Sequence, residues 1–257
     1  MIDYGLSGKV ALITGVSRNI GIGAAISHYL AVSGANIFTT YYRHFDELMP
    51  WGSNSNEAEE IIESLKLQGV QATGIEANLA EIETPKKLFD KVEETLGKVD
   101  ILINNAAHDS QADIYSLSPE LLDTHYAVNL RGTTLLCAEF AKRHDGREGG
   151  RIINLTSGQS LAPMPESLPY AVTKGAIEAL TISLSASLAS KNITVNAVDP
   201  GATDTGWMSD EFRSKLENQA PFGRIGKPED AAKIVLFLAS AQAQWITGQI
   251  IRSRGGM

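Results

Sequence analysis

Tyr170 and Lys174 stand four residues apart in LPYAVTKGAIEALTISLSASLA, a segment of helical period, so their side chains lie one turn apart on one face. A tyrosine with its usual pKa of about 10 is a poor acid–base catalyst at neutral pH. An ammonium group beside it would stabilise the phenolate and lower that value. The pair therefore suits proton transfer to or from an oxygen. Y-x-x-x-K alone arises often by chance, and a surface tyrosine beside a solvated lysine is the default until other residues join it. A second stretch, ITGVSRNIGIGAAI over 13–26, has the look of a phosphate-binding turn. It matches neither the G-x-G-x-x-G fingerprint nor the G-x-x-x-x-G-K-[ST] loop. The lone Cys137 sits in the apolar run TTLLCAEF and is read as a core thiol, since one cysteine can form no internal disulfide. No residue set is read as a metal site.

The elements that must position these residues follow from periodicity. KVALIT, NIFTTYY, VQATGIEA, VDILINNA, GRIINLTS and ITVNAV are short apolar runs bounded by turn residues. Between them the spacing predicts helices over 23–33, 56–68, 84–96, 118–144, 168–190 and 228–240. Pro85, Pro119 and Pro228 fall near first turns, where a missing N–H costs nothing. Repeated strand–helix–strand units require right-handed crossovers. They predict a single α/β domain over 1–257: a Rossmann-type doubly wound parallel sheet of about seven strands with helices on both faces. KVALITG is then the first strand and the glycine-rich stretch the turn into the first helix. In such a sheet that turn lies at the carboxyl edge, where a helix N-terminus offers free N–H groups to an anion. The least regular stretch is YYRHFDELMPWGSNSN, 41–56, long for a strand-to-helix connection and so functional or mobile. Trp51 within it is read as an anchor for the loop itself.

Composition sets the outer bounds. The 257 residues suffice for one large α/β domain, and 43% hydrophobic with 20% charged residues is ordinary for a globular protein. A net charge of −8 argues against nonspecific nucleic-acid binding. No apolar run reaches the ~20 residues of a membrane helix. MIDYGLSGKVALITG shows no export signal, so a cytoplasmic location is expected.

With these elements in place, the sequence resembles the short-chain dehydrogenase/reductase family, whose turn reads T-G-x-x-x-G-x-G. Counted back from AAISHYLA, the family's glycines fall on Gly15, Gly21 and Gly23, with Asn19 and Ile20 as extra loop residues. Counted from Thr14, the second and third fall on Asn19 and Gly21. The first register is preferred because it keeps the helix intact. The resemblance covers nearly the whole chain and implies catalytic roles for Asn129, Ser157, Tyr170 and Lys174. Tyr170 would move the proton. Ser157, thirteen residues before it, would hydrogen-bond the substrate oxygen, and Asn129 would hold a water chain leading from Lys174.

The same resemblance implies nicotinamide-cofactor contacts at Gly15, Ser17, Arg18, Gly21, Ile22 and Gly23 in the turn. Others are Asn78 and Leu79 at the adenine end, Asn105 and Ala106 in ILINNAA, Tyr170 and Lys174, and Pro200, Gly201, Thr203 and Thr205 in DPGATDT. Ala107 replaces a family glycine, Asn78 a usual aspartate, and Arg254 an acidic residue before the terminal Gly-Gly; the sequence offers no account of the last change. The expected reaction interconverts a carbonyl and a secondary alcohol. Strand two ends TTYYRHF, without the acid that binds the ribose 2′-OH of NAD, whereas Arg43 and Arg18 could grip a 2′-phosphate. NADP(H) is therefore expected over NAD(H).

The substrate is less determined. The chain looks most like bacterial 3-oxoacyl-[acyl-carrier-protein] reductases, which would make an acyl thioester the substrate and acyl carrier protein a partner, met by Lys191 and Arg147. Small polar ketones, sugars or cyclic alcohols stand beside that reading, with Gln159, His108, Asp109 and Trp207 as contacts. A noncatalytic NADP-binding regulator is the alternative from another class. The enoyl-reductase branch, whose Tyr and Lys lie six positions apart, is disfavoured because Ala176 stands there. Family members are commonly tetramers joined through two long helices, here 118–144 and 168–190, so a homotetramer is expected.

Overall fold

Alternate residues of the first strand, β1 (Val10–Ile13), bury on opposite sides: Ala11 and Ile13 in one apolar layer, Val10 and Leu12 in the other. A strand buried on both faces reads as a continuous hydrophobic run, as a central parallel strand must. The computed structural model describes residues 3–257 and places β1 inside a seven-stranded, wholly parallel sheet of order β3-β2-β1-β4-β5-β6-β7. The other strands are β2 (Asn36–Tyr41), β3 (Ala72–Glu76), β4 (Ile101–Asn104), β5 (Gly150–Leu155), β6 (Ile193–Asp199) and β7 (Ile250–Arg252).

One face carries α1 (Ile22–Val32), α3 (Glu57–Lys66) and α9 (Pro228–Ala239), whose Ile26, Leu30, Ile61 and Val235 pack on Ala11 and Ile13. The other carries α4 (Thr84–Thr95), α6 (Thr133–Arg143) and α7 (Leu168–Leu188), with Phe89, Phe140 and Leu188 against Leu12 and Leu102. Cys137 is 1% exposed, and burial pushes its thiol up to about 12, so it is an inert core residue as expected. Because β1 pairs with β2 on one side and β4 on the other, the direction in which successive strands are added to the sheet reverses there. That opens a crevice at the carboxyl ends of β1 and β4.

Four elements depart from the sequence expectation. The 118–144 helix is three pieces: α5 (Pro119–His125), a π-helical turn (Tyr126–Gly132) and α6. Periodicity over 27 residues cannot show a one-residue insertion in the ladder, and π turns recur at functional sites. The 41–56 stretch holds a short helix, α2 (Arg43–Glu47), and Trp51 anchors it by donating Nε1–H to Asp46 Oδ1 at 3.0 Å. After β6 the chain forms α8 (Asp210–Gln219), a helix outside those read from periodicity, capped by Ser209, which accepts from the Phe212 N–H at 3.2 Å. Its signal was Ser209 followed by Asp210 and Glu211, a helix start with no apolar periodicity behind it. The last strand, β7, lies beyond the six apolar runs read as strands. Among the described residues no helix is long and apolar enough to cross a membrane.

Candidate active site

β5 is buried at every position and delivers Thr156 and Ser157 to its carboxyl end. α7 starts at Leu168 with Pro169 in its first turn and brings Tyr170 and Lys174 alongside. Thr156 Oγ1 donates to the Lys174 carbonyl at 3.3 Å, and Lys174 Nζ donates to the Leu155 carbonyl at 2.7 Å, so helix and strand end are bonded both ways. Lys174 Nζ lies 5.4 Å from the centre of the Tyr170 ring, and the Ser157 hydroxyl is near enough to the Tyr170 oxygen to hold its pKa down. The structure thus brings Ser157, Tyr170 and Lys174 together at one sheet edge.

The electrostatics differ from the expectation that Lys174 lowers Tyr170. Burial pushes the Tyr170 phenol well above its usual value, and the Asp109 carboxylate adds to this. Ser157 opposes the rise and Asp199 reinforces it. Burial pushes Lys174 down to about 8, with Asp109 pulling back. Lys174 is 4% exposed and its ammonium is directed to the Leu155 carbonyl. The resting state is therefore a protonated phenol, a proton donor at neutral pH.

The lysine also bears on stability. Its folded value of about 8 lies below the 10.5 of an unperturbed lysine. Between those values the unfolded chain holds a proton that the folded chain has released, so stability rises with pH across that window and burial of the charge costs stability below it. Lys174→Met should therefore raise the melting temperature at pH 7 by about 2–4 °C, the lost Leu155 hydrogen bond offsetting part of the gain. The gain should vanish by pH 10. A mutant-to-wild-type difference constant from pH 7 to 10, measured by differential scanning calorimetry, would refute this.

Asn129 lies in the π turn, 2% exposed. Its Oδ1 accepts the His108 N–H at 2.7 Å, and its Nδ2 donates to the His108 carbonyl (2.8 Å) and to Thr173 Oγ1 (3.1 Å). Both amide hydrogens are committed, so the side chain fastens the segment after β4 to α7.

The crevice beside these residues has a volume of about 480 Å³. Gly15, Ser17, Arg18, Gly21 and Ile22 form one wall. Asn78, Leu79, Asn105, Ala106 and Thr205 line the rest. At Gly15 φ is +75°, and a Cβ there would sit 2.7 Å from Ala106 Cα. Gly21 is the N-cap of α1, without a side-chain cap and without an acid in the first turn, so no carboxylate of α1 itself competes for its N–H groups. That is the arrangement a pyrophosphate needs. Glu57 of α3 takes the Asn19 N–H earlier in the loop, at 2.6 Å. Gly23 lies in the first turn of α1, which begins at Ile22, one residue before the start read from sequence. A Cβ there would meet the Gly15 carbonyl at 2.6 Å and Asn105 Nδ2 at 2.7 Å, so its role is close packing of helix on strand. Asn105 Nδ2 donates to the Thr14 and Gly15 carbonyls, both at 2.9 Å. A nicotinamide dinucleotide fits these donors and this bare backbone.

Of the other expected contacts, Arg18 belongs to the crevice wall, whereas Arg43, Thr203, Trp207 and Gln159 lie apart from it. Arg43 is held by Glu59 (Nη2 to Oε1, 2.9 Å) and faces Glu76 at 3.9 Å. Arg18 stacks over Trp51 at 4.7 Å, and no carboxylate pairs with it among the described residues. Thr203 Oγ1 donates within its own turn, to the Pro200 carbonyl at 3.1 Å. Trp207 is 50% exposed, with Nε1–H donating to the Thr203 carbonyl at 3.1 Å. The Gln159 side chain packs toward Gly175 on α7, its amide atoms buried without partners. The two basic residues assigned to a carrier protein are engaged internally: Arg147 by Asp100 and Asp145, and Lys191 by the Ala141 carbonyl. Sequence reasoning passed over Phe45, whose ring meets His108 edge-on at 5.3 Å across the crevice; nothing in its spacing marked it.

The fold and this site define a dinucleotide-binding oxidoreductase of the doubly wound α/β class. The model of the family described as enoyl-(acyl carrier protein) reductase matches residues 15–257. An uncharacterised oxidoreductase, YjdA, of Bacillus subtilis (strain 168) is 48% identical over 250 residues, covering 96% of each chain. The 3-oxoacyl-[acyl-carrier-protein] reductase FabG of Aquifex aeolicus is 36% identical over the full length of both. Among solved structures, the angucycline C-6 ketoreductase LanV with bound NADP is 34% identical with a TM-score of 0.87, covering 98% of this chain and 96% of that one. The chain belongs to the short-chain dehydrogenase/reductase family and is an oxidoreductase.

Proposed function

We propose that this protein is an NADP(H)-dependent ketoreductase, with Tyr170 as the acid–base residue and Ser157 polarising the substrate oxygen. The observation that carries this reading is the gathering of Ser157, Tyr170 and Lys174 at the sheet edge beside a crevice with bare backbone donors. A bound nicotinamide would supply the hydride, and the hard chemistry would be the cofactor's. The protein's part is positioning. Ser157 and Tyr170 place two hydroxyls on one substrate oxygen, Tyr170 moves the proton there, and Lys174 holds the helix register through Leu155. Lys174 would also be held closer to its ammonium form by Asp109. The description of the matching family model names enoyl reductases, but that branch needs a lysine where Ala176 stands.

NADP(H) is supported by Arg18, which lines the crevice free of any carboxylate among the described residues, next to the α1 N-terminus. Arg43 is paired with Glu59 and contributes less. Arg18→Ala should raise KM for NADPH about tenfold or more while leaving KM for NADH nearly unchanged, and Arg43→Ala should cost less. Equal catalytic efficiency with NADH, or no loss in the double variant, defeats this assignment.

The substrate class we favour is a 3-oxoacyl thioester, on the likeness to FabG; the internal engagement of Arg147 and Lys191 leaves the carrier-protein contact unsupported. The neighbouring angucycline ketoreductase structure favours a second reading, a cyclic ketone. NADPH oxidation at 340 nm against acetoacetyl thioesters, small diketones, cyclic ketones and sugars separates the two. Turnover of thioesters supports the first; activity confined to other carbonyls removes it and keeps the reductase.

A further inference from the structure

Asp199 ends β6 and is 1% exposed, a costly place for a carboxylate without a partner. Its partner is Arg254, the residue that stands where relatives were expected to carry an acid. Arg254 Nη1 reaches Asp199 Oδ2 at 3.1 Å and Oδ1 at 3.3 Å. Asp199 Oδ1 also accepts the Gly201 N–H at 2.9 Å, and the Asp199 carbonyl accepts the Ser253 N–H at 2.7 Å. Arg254 Nε donates to the Met257 carbonyl at 3.1 Å, tying the tail in.

The guanidinium has a second neighbour. Gly158, the residue after Ser157, packs so closely on it that a methyl group there would overlap Arg254 Nη1. On the other side a Cβ at Gly201 would lie 3.0 Å from Arg254 Cγ. Arg254 is therefore wedged between the loop that presents Ser157 and the Pro200–Gly201 turn, with its charge on the carboxylate between them.

We propose that the Asp199–Arg254 ion pair is a positioning element of the active site: it fixes the Ser157 loop against the turn after β6 and screens Tyr170 from the buried Asp199 charge. The proposal rests on the ketoreductase reading. The groups that act on Tyr170 are Asp109 from the segment after β4, Ser157 from the β5 loop and Asp199 from β6, with Lys174 from α7 at 5.4 Å from its ring. Asp109 and Asp199 both oppose phenolate formation, and of these two only Asp199 has a cationic partner within ion-pair distance. Removing the guanidinium leaves a second uncompensated anion near the phenol. Alcohol oxidation needs Tyr170 to accept a proton, so its rate climbs as pH rises through the tyrosine's pKa. An unscreened Asp199 moves that climb to higher pH.

The test compares wild type, Arg254→Met, Arg254→Lys and the double variant Asp199→Asn/Arg254→Met. The readouts are pH–rate profiles of NADP-linked alcohol oxidation and NADPH affinity by fluorescence. Arg254→Met should lower kcat at pH 8 about tenfold, displace the rising limb upward by about one pH unit and weaken NADPH binding about fivefold, since the Pro200–Gly201 turn loses its wedge. KM for the alcohol should stay within about threefold. Arg254→Lys keeps the charge and should keep the limb. The double variant removes the anion with its partner and should return the limb to its wild-type place, which a merely structural role for Arg254 would not do.

A folded Arg254→Met with an unmoved limb overturns the proposal. If that variant does not fold, the double variant decides: a limb displaced upward there overturns it, and a wild-type limb supports it. If wild type turns over no alcohol or carbonyl in the panel, the ketoreductase reading fails separately. NADPH affinity alone then judges the wedge, with an unchanged value in Arg254→Met overturning it.

Discussion

Tyr170→Phe should lower carbonyl reduction by about 10³-fold while leaving NADPH affinity within about threefold and the melting temperature within a few degrees. The substitution removes one oxygen from a half-buried ring whose packing on Lys174 persists. What disappears is the proton donor. Because burial and Asp109 hold the phenol well above its ordinary pKa, wild-type reduction should be nearly independent of pH between 6 and 8, where the donor is fully protonated. Oxidation runs the other way and should rise with pH across the same range. The measurement is steady-state kinetics in both directions with the best carbonyl from the panel. A Tyr170→Phe variant retaining more than a tenth of wild-type activity would assign the proton to another group. Tight NADPH binding with no turnover of any carbonyl in wild type would favour the noncatalytic regulator instead.

Much of this architecture is legible in the chain because its signals are local. β1 reads as a buried strand from VALI alone, and α7 from its spacing, so the meeting of Tyr170 with Lys174 follows from a four-residue offset on a helix. Ser157 is harder: nothing local says that β5 and α7 are neighbours, and the thirteen-residue spacing acquires meaning only through the family resemblance. What the sequence could not display is pairing between distant residues. Arg254 looked like an unexplained substitution because Asp199 lies 55 positions away, and the two make sense only as a pair. Arg43 looked like half of a phosphate fork because Glu59, on another element, was not visible as its partner. The tyrosine's electrostatics were misjudged for the same reason. The adjacent lysine is on the same helix, whereas the two carboxylates that join burial in outweighing it arrive from the segment after β4 and the end of β6. The π turn around Asn129 escaped because it changes the ladder by one residue without changing composition.

Gly15→Ala should abolish useful cofactor binding and cost about 2–4 kcal/mol of stability, a fall of about 5–15 °C in melting temperature. Two effects add. The backbone at Gly15 is left-handed, φ +75°, which an L side chain adopts at a cost of about 1–2 kcal/mol. The new Cβ would also stand 2.7 Å from Ala106 Cα and 3.0 Å from Ala106 N. That neighbour cannot easily yield, because the Asn105 and Ala106 N–H groups both donate to Thr14 Oγ1 at 3.1 Å and Asn105 Nδ2 bridges to Gly15 itself. Relief must come from parting the ends of β1 and β4, which widens the crevice and removes the bare backbone that would approach the pyrophosphate. Gly52→Ala separates the two effects, since Gly52 has φ +67° but nothing within 4 Å of its added Cβ. It should lose only the conformational share, about 1 kcal/mol, and bind NADPH as wild type does. Thermal unfolding and NADPH fluorescence titration on both variants decide the matter. Equal losses of stability in the two would mean that strain alone acts at Gly15, and wild-type NADPH affinity in Gly15→Ala would place the dinucleotide elsewhere.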